Sequence, residues 1–133
     1  MADFSGISHL DLSVSDVDAS TQWYVDVLGL KVLKRIEAPD RTMVVMIHPA
    51  TSLIIGLNQH SFVPVETFDE RNVGLDHVGF NVDERSALDE LAEHLTGLNV
   101  EHSPVEDTPV GTALVFRDPD NIQLEFWWTK PRG

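Results

Sequence analysis

The chain has no cysteine in its 133 residues. That excludes disulfides, thiolate metal sites and a cysteine nucleophile, and it fits a cytoplasmic setting. No run approaches the roughly 20 apolar residues that a membrane-crossing helix needs. Basic residues are scarce, 9 against 22 acidic ones, for a formal net charge of −13. Such a surface repels phosphates, so nucleic acid is not expected as a partner. The start, Met1-Ala2-Asp3-Phe4-Ser5, has no basic stretch leading into an apolar core and does not read as a signal peptide. Tyrosine occurs once. Tyr24 lies in an apolar helical setting, which reads as core rather than as a phenolic acid.

What is present is a repeat. Shifted by 68 residues, Gly6-Ile7-Ser8-His9-Leu10 falls on Gly74-Leu75-Asp76-His77-Val78, and Gly29-Leu30-Lys31-Val32 falls on Gly97-Leu98-Asn99-Val100. Val14 matches Val82, and Ala19 matches Ala87. One register thus aligns a histidine, two glycine positions and an apolar pattern, which is the mark of an internal duplication.

Each half has the same local grammar. Leu10, Leu12 and Val14 alternate with His9, Asp11 and Ser13, a strand period; Val78, Phe80 and Val82 do likewise. A helix follows each strand. Ser15 or Asp16 is expected to cap the first and Asp83 the second. Leu88, Leu91, Ala92 and Leu95 make one apolar stripe, as do Trp23, Tyr24, Val27 and Leu28. Gly29 and Gly97 stand where a helix end needs a left-handed residue. Three further strands are expected in each half, near Lys31–Ile36, Thr42–Ile47 and Ser52–Asn58, then near Val100–Ser103, Thr112–Arg117 and Ile122–Trp128. Pro49 and Asp118-Pro119-Asp120-Asn121 mark turns. The expectation is an α+β fold of two βαβββ modules in a single domain over residues 1–133. Module one spans about 5–60, a connector about 61–72 and module two about 73–129.

Alternation sorts the faces. If Leu10, Leu12 and Val14 pack under the helix, then His9, Asp11 and Ser13 face the other way, with His77, Gly79 and Asn81 in the second half. With Ile122, Leu124 and Phe126 on the helix side, Gln123, Glu125 and Trp127 face opposite. A pseudo-twofold between the halves would set the first strands side by side and gather His9, His77 and Glu125. Two imidazoles and a carboxylate suit one divalent Fe, Mn, Ni, Co or Zn ion, with open positions for substrate.

The segments Ser8-His9-Leu10-Asp11-Leu12-Ser13-Val14-Ser15-Asp16, Trp23-Tyr24 with Leu28-Gly29-Leu30, Gly74-Leu75-Asp76-His77-Val78-Gly79-Phe80, and Arg117-Asp118-Pro119-Asp120-Asn121-Ile122-Gln123-Leu124-Glu125-Phe126 resemble the vicinal oxygen chelate superfamily. That group includes glyoxalase I, fosfomycin-resistance enzymes, bleomycin-binding proteins and extradiol dioxygenases. The resemblance covers essentially the whole chain. It implies a metal-dependent enzyme that binds two adjacent oxygens of a small organic substrate, by lyase, isomerase, transferase or dioxygenase chemistry. It also implies a homodimer. The alternative is a metal-independent protein that sequesters a small molecule, as bleomycin-resistance proteins do.

The pattern often has a fourth ligand, a glutamate, on the last strand of module one. Here that position is Gly56, or Leu57 one residue on, and neither side chain binds metal. This departure counts against a glyoxalase I scheme. His60 is a substitute ligand or a rim group. His60 and His48 are the candidates for general base. Asp11, Asn58, Trp127 and Arg41 are the expected substrate-pocket residues. Trp127 and Trp128 point to opposite faces, one toward the pocket. His94 and His102 read as surface residues. Arg41 and Arg117 either form salt bridges or meet an anionic substrate.

Overall fold

The computed structural model describes residues 2–62 and 66–132. Val63, Pro64 and Val65, within the expected connector, lie outside the described residues. The chain divides into two compact units, Met1–Val65 and Glu66–Gly133.

The first unit runs β1 (Leu10–Ser13), α1 (Val17–Leu28), β2 (Lys31–Ala38), β3 (Arg41–Ile47) and β4 (Ile54–His60). Its sheet has the order β1-β4-β3-β2, with β1 parallel to β4 and the other pairs antiparallel. The core lies between helix and sheet. Leu12, Val44, Met46, Ile55 and Leu57 from the strands, with Val14 just after β1, meet Val17, Tyr24 and Val27 from α1, all at most 5% exposed. Tyr24, at 0%, is core as its setting implied. Asp16 caps α1, its side chain accepting from the amides of Asp18 and Ala19. Gly29 closes the helix at φ 68°, a left-handed conformation that costs glycine little.

The second unit repeats the plan: β5 (Val78–Asn81), α2 (Ser86–Gly97), β6 (Glu106–Asp107), β7 (Gly111–Arg117) and β8 (Gln123–Thr129), in the order β5-β8-β7-β6. Leu88 and Leu95 of α2 pack with Leu114, Phe116, Leu124 and Phe126. Two βαβββ modules, each with a four-stranded mixed sheet, are therefore the architecture. No helix of the described residues is long and apolar enough to cross a membrane.

Three local expectations fail in the second module. The strand near Val100–Ser103 is reduced to a single bridge between His102 and Phe116, and the regular pairing falls at β6. Pro104 has no N–H to offer a ladder and restricts the residue before it. Asp83 is not the cap: the residue before α2 is Arg85, with no side-chain cap bond. Gly97 is the last residue of α2, and the left-handed residue is Asn99, at φ 58°. Asparagine tolerates that conformation, so the chain reverses two residues later than in module one.

The connector end is anchored within the second unit. Phe68 donates its amide to the carbonyl of Asp120, and Asn121 Nδ2 donates to the carbonyl of Phe68. Arg117 Nη2 meets Glu70 Oε1 at 2.7 Å, holding the Glu70 carboxyl down at about 2. Of the two readings of Arg117, the salt bridge is the one observed.

Candidate functional site

In module two the chain enters β5 through Gly74, at φ 142°, as module one enters β1 through Gly6, at φ 124°. Each glycine lies three residues before a histidine. His77 precedes β5, and the β5–β8 register sets Gly79 opposite Glu125. The glycine leaves room for the carboxylate: a Cβ at Gly79 would stand 3.2 Å from Glu125 Oε1. His77 Nε2 then lies 3.3 Å from Glu125 Oε1. The other ring nitrogen, Nδ1, is 2.7 Å from Asp76 Oδ1. That bond is the main cause of a raised His77 pKa; burial opposes it, and the charge of Glu125 adds to it.

A hollow of about 550 Å³ opens on this face, lined by His77, Gly79, Asn81, Glu125 and Trp127. Trp127 is half-buried. Its indole crosses Gly111 of β7, where a side chain would collide with the ring, and its Nε1 donates to Thr129 Oγ1 at 2.9 Å. Of the adjacent pair of tryptophans, Trp127 is the one that lines the hollow.

In module one His9 is exposed, immediately before β1. Its Nδ1 is 2.6 Å from Ser8 Oγ. Each repeated histidine is thus engaged at Nδ1 by the residue before it, and in His77 the other ring nitrogen, Nε2, faces Glu125. An outer hydrogen bond of this kind fixes the ring of a metal-binding histidine. The signal was in the aligned sequence, as polar Ser8 and Asp76 in matched positions, but sequence reading did not use it.

On the same sheet Asp11 pairs with Gly56, which places Gly56 as the counterpart of Glu125. Asn58 Nδ2 donates to Asp11 Oδ2 at 3.1 Å. His60 pairs with Arg41 at one end of the sheet. His9, one residue before the Leu10–Ile55 pair, is level with Ile54 at the other end. Six residues of strand separate the two levels, about 20 Å at roughly 3.3 Å per residue. One ion therefore cannot be shared by His9 and His60 of the same module. His48 is in the β3–β4 turn, at the His9 end, with Nδ1 2.7 Å from Thr51 Oγ1. Among the described residues Arg41 has no ion-pair partner, whereas Arg35, Arg71, Arg85 and Arg117 each have one. His94 is exposed, and His102 is half-buried with both ring nitrogens engaged, by Thr96 and by the carbonyl of Ser103.

Among the described residues no group of three or more His, Cys, Asp or Glu side chains is gathered to hold a metal ion. The structure brings together the His77–Glu125 pair. Its donor chemistry suits a divalent cation: an imidazole nitrogen and a carboxylate oxygen converge beside an open hollow.

The model of the Glyoxalase/Bleomycin resistance protein/Dioxygenase superfamily matches residues 6–126. The chain belongs to this superfamily. A glyoxylase/bleomycin resistance protein/dioxygenase domain from Frankia sp. EAN1pec is 36% identical, covers 96% of this chain and 100% of its own, and superposes with a TM-score of 0.90. The Pseudomonas aeruginosa protein PA2024 is 30% identical over 132 residues, 96% of this chain and 91% of that one. The fosfomycin resistance protein FosX of Listeria monocytogenes, solved with Mn(II) and sulfate, shares the fold at TM-score 0.71 and 20% identity, covering 96% of this chain and 93% of its own. The glyoxalase-superfamily fold thus accounts for both modules.

Proposed function

We propose that this chain is a divalent-metal enzyme acting on a small organic molecule, with His77 and Glu125 of module two and His9 of module one as the metal ligands. The observation that carries the reading is the His77–Glu125 pair, 3.3 Å apart at the edge of the hollow, with the far side of the imidazole fixed by Asp76. Joining His9 to that pair follows from the repeat, since His9 and His77 occupy matched positions and are both held at Nδ1. The Mn(II) bound by FosX, a relative in fold, agrees with a divalent ion. Such an ion would be Fe, Mn, Ni, Co or Zn, and it would supply Lewis acidity toward a pair of substrate oxygens.

The residues of the chain do the rest. Asp76 holds the His77 ring so that Nε2 faces Glu125. Trp127 offers a flat apolar wall for the carbon skeleton of the substrate. Arg41 and His60, neighbours at the far end of sheet one, stand about 20 Å of strand from the level of His9, too far to touch a small molecule held there. His48, in the β3–β4 turn at the His9 end of the sheet, is the nearer candidate for proton transfer, with its Nδ1 engaged by Thr51. The reading includes a homodimer, two modules acting as one domain, and a cytoplasmic setting. A second reading, capture of a small molecule without turnover, draws on the same indole wall.

Elemental analysis of protein purified without chelators tests the proposal. About one divalent metal per chain is expected in the parent, and almost none in His77→Ala or Glu125→Gln variants that keep their circular dichroism. A metal-free parent that binds an aromatic compound would favour capture instead.

A further inference from the structure

We propose that Trp127, held aside by Gly111 and Thr129, makes the hollow of module two a seat for a flat ring, so that the substrate is an aryl compound whose metal-binding oxygens are set one linking atom away from the ring. The proposal rests on the metal reading above and names the substrate class for that site.

The strand ladder fixes the layout. Gly79 stands opposite Glu125, and Asn81 opposite Trp127. On the other side of β8, Trp127 stands opposite Ala113, and Thr129 opposite Gly111. The strand order is β5-β8-β7, so an indole on β8 can lean toward β5 or toward β7. It leans toward β7. A Cβ at Gly111 would collide with the indole carbons Cε2 and Cζ2, and with the carbonyl oxygen of Trp128. The ring thus occupies the space that the glycine leaves. Its Nε1 donates to Thr129 Oγ1 at 2.9 Å, which ties down the same edge. With the indole drawn to that side, the space above β5 and β8 stays open as the hollow of about 550 Å³.

Two features point to a ring at a set distance. The only polar atom of the indole is engaged by Thr129, so Trp127 offers the hollow a surface of carbon alone. An indole fixed in this way favours a flat partner, through stacking or edge contact, beyond what the buried area gives. The second feature is spacing. Glu125 and Trp127 are two residues apart on β8, about 7 Å at 3.2–3.4 Å of rise per residue. Glu125 reaches back over Gly79 to His77, whereas the indole leans the opposite way, toward Thr129. The metal-binding pair and the aromatic wall therefore diverge. A ring that carried both chelating oxygens itself would stop short of the indole, and one joined through a single linking atom reaches it.

The test uses full-length protein loaded with Co(II) and titrated with two hydroxamates that chelate through the same pair of oxygens. Acetohydroxamate has a methyl on its carbonyl carbon, and benzohydroxamate a phenyl ring. Visible absorption of the Co(II) reports both. The parent should bind benzohydroxamate about tenfold more tightly than acetohydroxamate, from ring contact together with the area buried. Trp127→Leu should keep Co(II) and its affinity for acetohydroxamate while losing most of the preference, and Trp127→Phe should retain most of it. Gly111→Ala should weaken benzohydroxamate more than acetohydroxamate, because the new methyl drives the indole toward β5. A parent that binds the two probes equally, or a Trp127→Leu protein that keeps the parent's preference, would overturn the proposal and leave the metal reading intact. A parent that takes up no Co(II) would instead remove the metal reading, and this proposal with it.

Discussion

At the scale of single residues, the informative feature is how the ligand candidates are held. Asp76 and Ser8 occupy matched positions but differ in charge, and a carboxylate polarises an imidazole more than a hydroxyl does. Asp76→Asn is expected to lower metal affinity about tenfold to a hundredfold while leaving the fold intact, with Ser8→Ala doing less; a Co(II) binding isotherm checks both. The Glu70–Arg117 pair gives a pH prediction. The Glu70 carboxyl is lowered from 4.5 to about 2. A depressed folded value means that the contribution is present above the unfolded pKa and lost as pH falls through the folded one. The stability difference between parent and Glu70→Gln should therefore be found at pH 7 and shrink steadily between pH 4.5 and 2, as read from urea midpoints. The shared face of His77, Glu125 and Trp127 was legible because strand alternation fixes it. The Gly56–Asp11 contact was not, since it depends on which strand lies beside which.

At the scale of elements, the modules agree in plan and differ in detail. Both helices, both first strands and five of the six later strands were readable from periodicity. The exception was the strand near Val100–Ser103, where Pro104 interrupts pairing. The caps differ as well. Asp16 accepts two amide hydrogens at the start of α1, whereas Asp83 does not cap α2. Asp16→Ala should cost about 1 kcal/mol of stability, and Asp83→Ala no more than roughly 0.5 kcal/mol, as for an ordinary surface change. Equal urea midpoint shifts for the two variants would contradict the assignment of the caps.

At the scale of the whole molecule, the proposed metal binding would be linked to folding. A ligand that binds only the folded chain stabilises it in proportion to the logarithm of its concentration. Divalent metal at about 100 times its dissociation constant should add roughly 2.7 kcal/mol, seen as a higher melting temperature that EDTA reverses. The His77→Ala protein should show no such rise. Light scattering should give twice the chain mass, as the proposed homodimer requires. The net charge of −13 favours a cation at the site and makes nucleic acid a poor partner.

By itself the sequence determined the duplication, the order of elements within each module and the face on which His77, Glu125 and Trp127 stand. Those follow from local periodicity, which needs only the neighbours along the chain. Tertiary structure alone decided that Asp76 and Glu125 hold the two sides of one imidazole, that Gly56 makes room for Asp11, and that Arg117 belongs to Glu70. Each of these depends on which strands pair and in what register, and residues far apart in the chain carry no local mark of meeting.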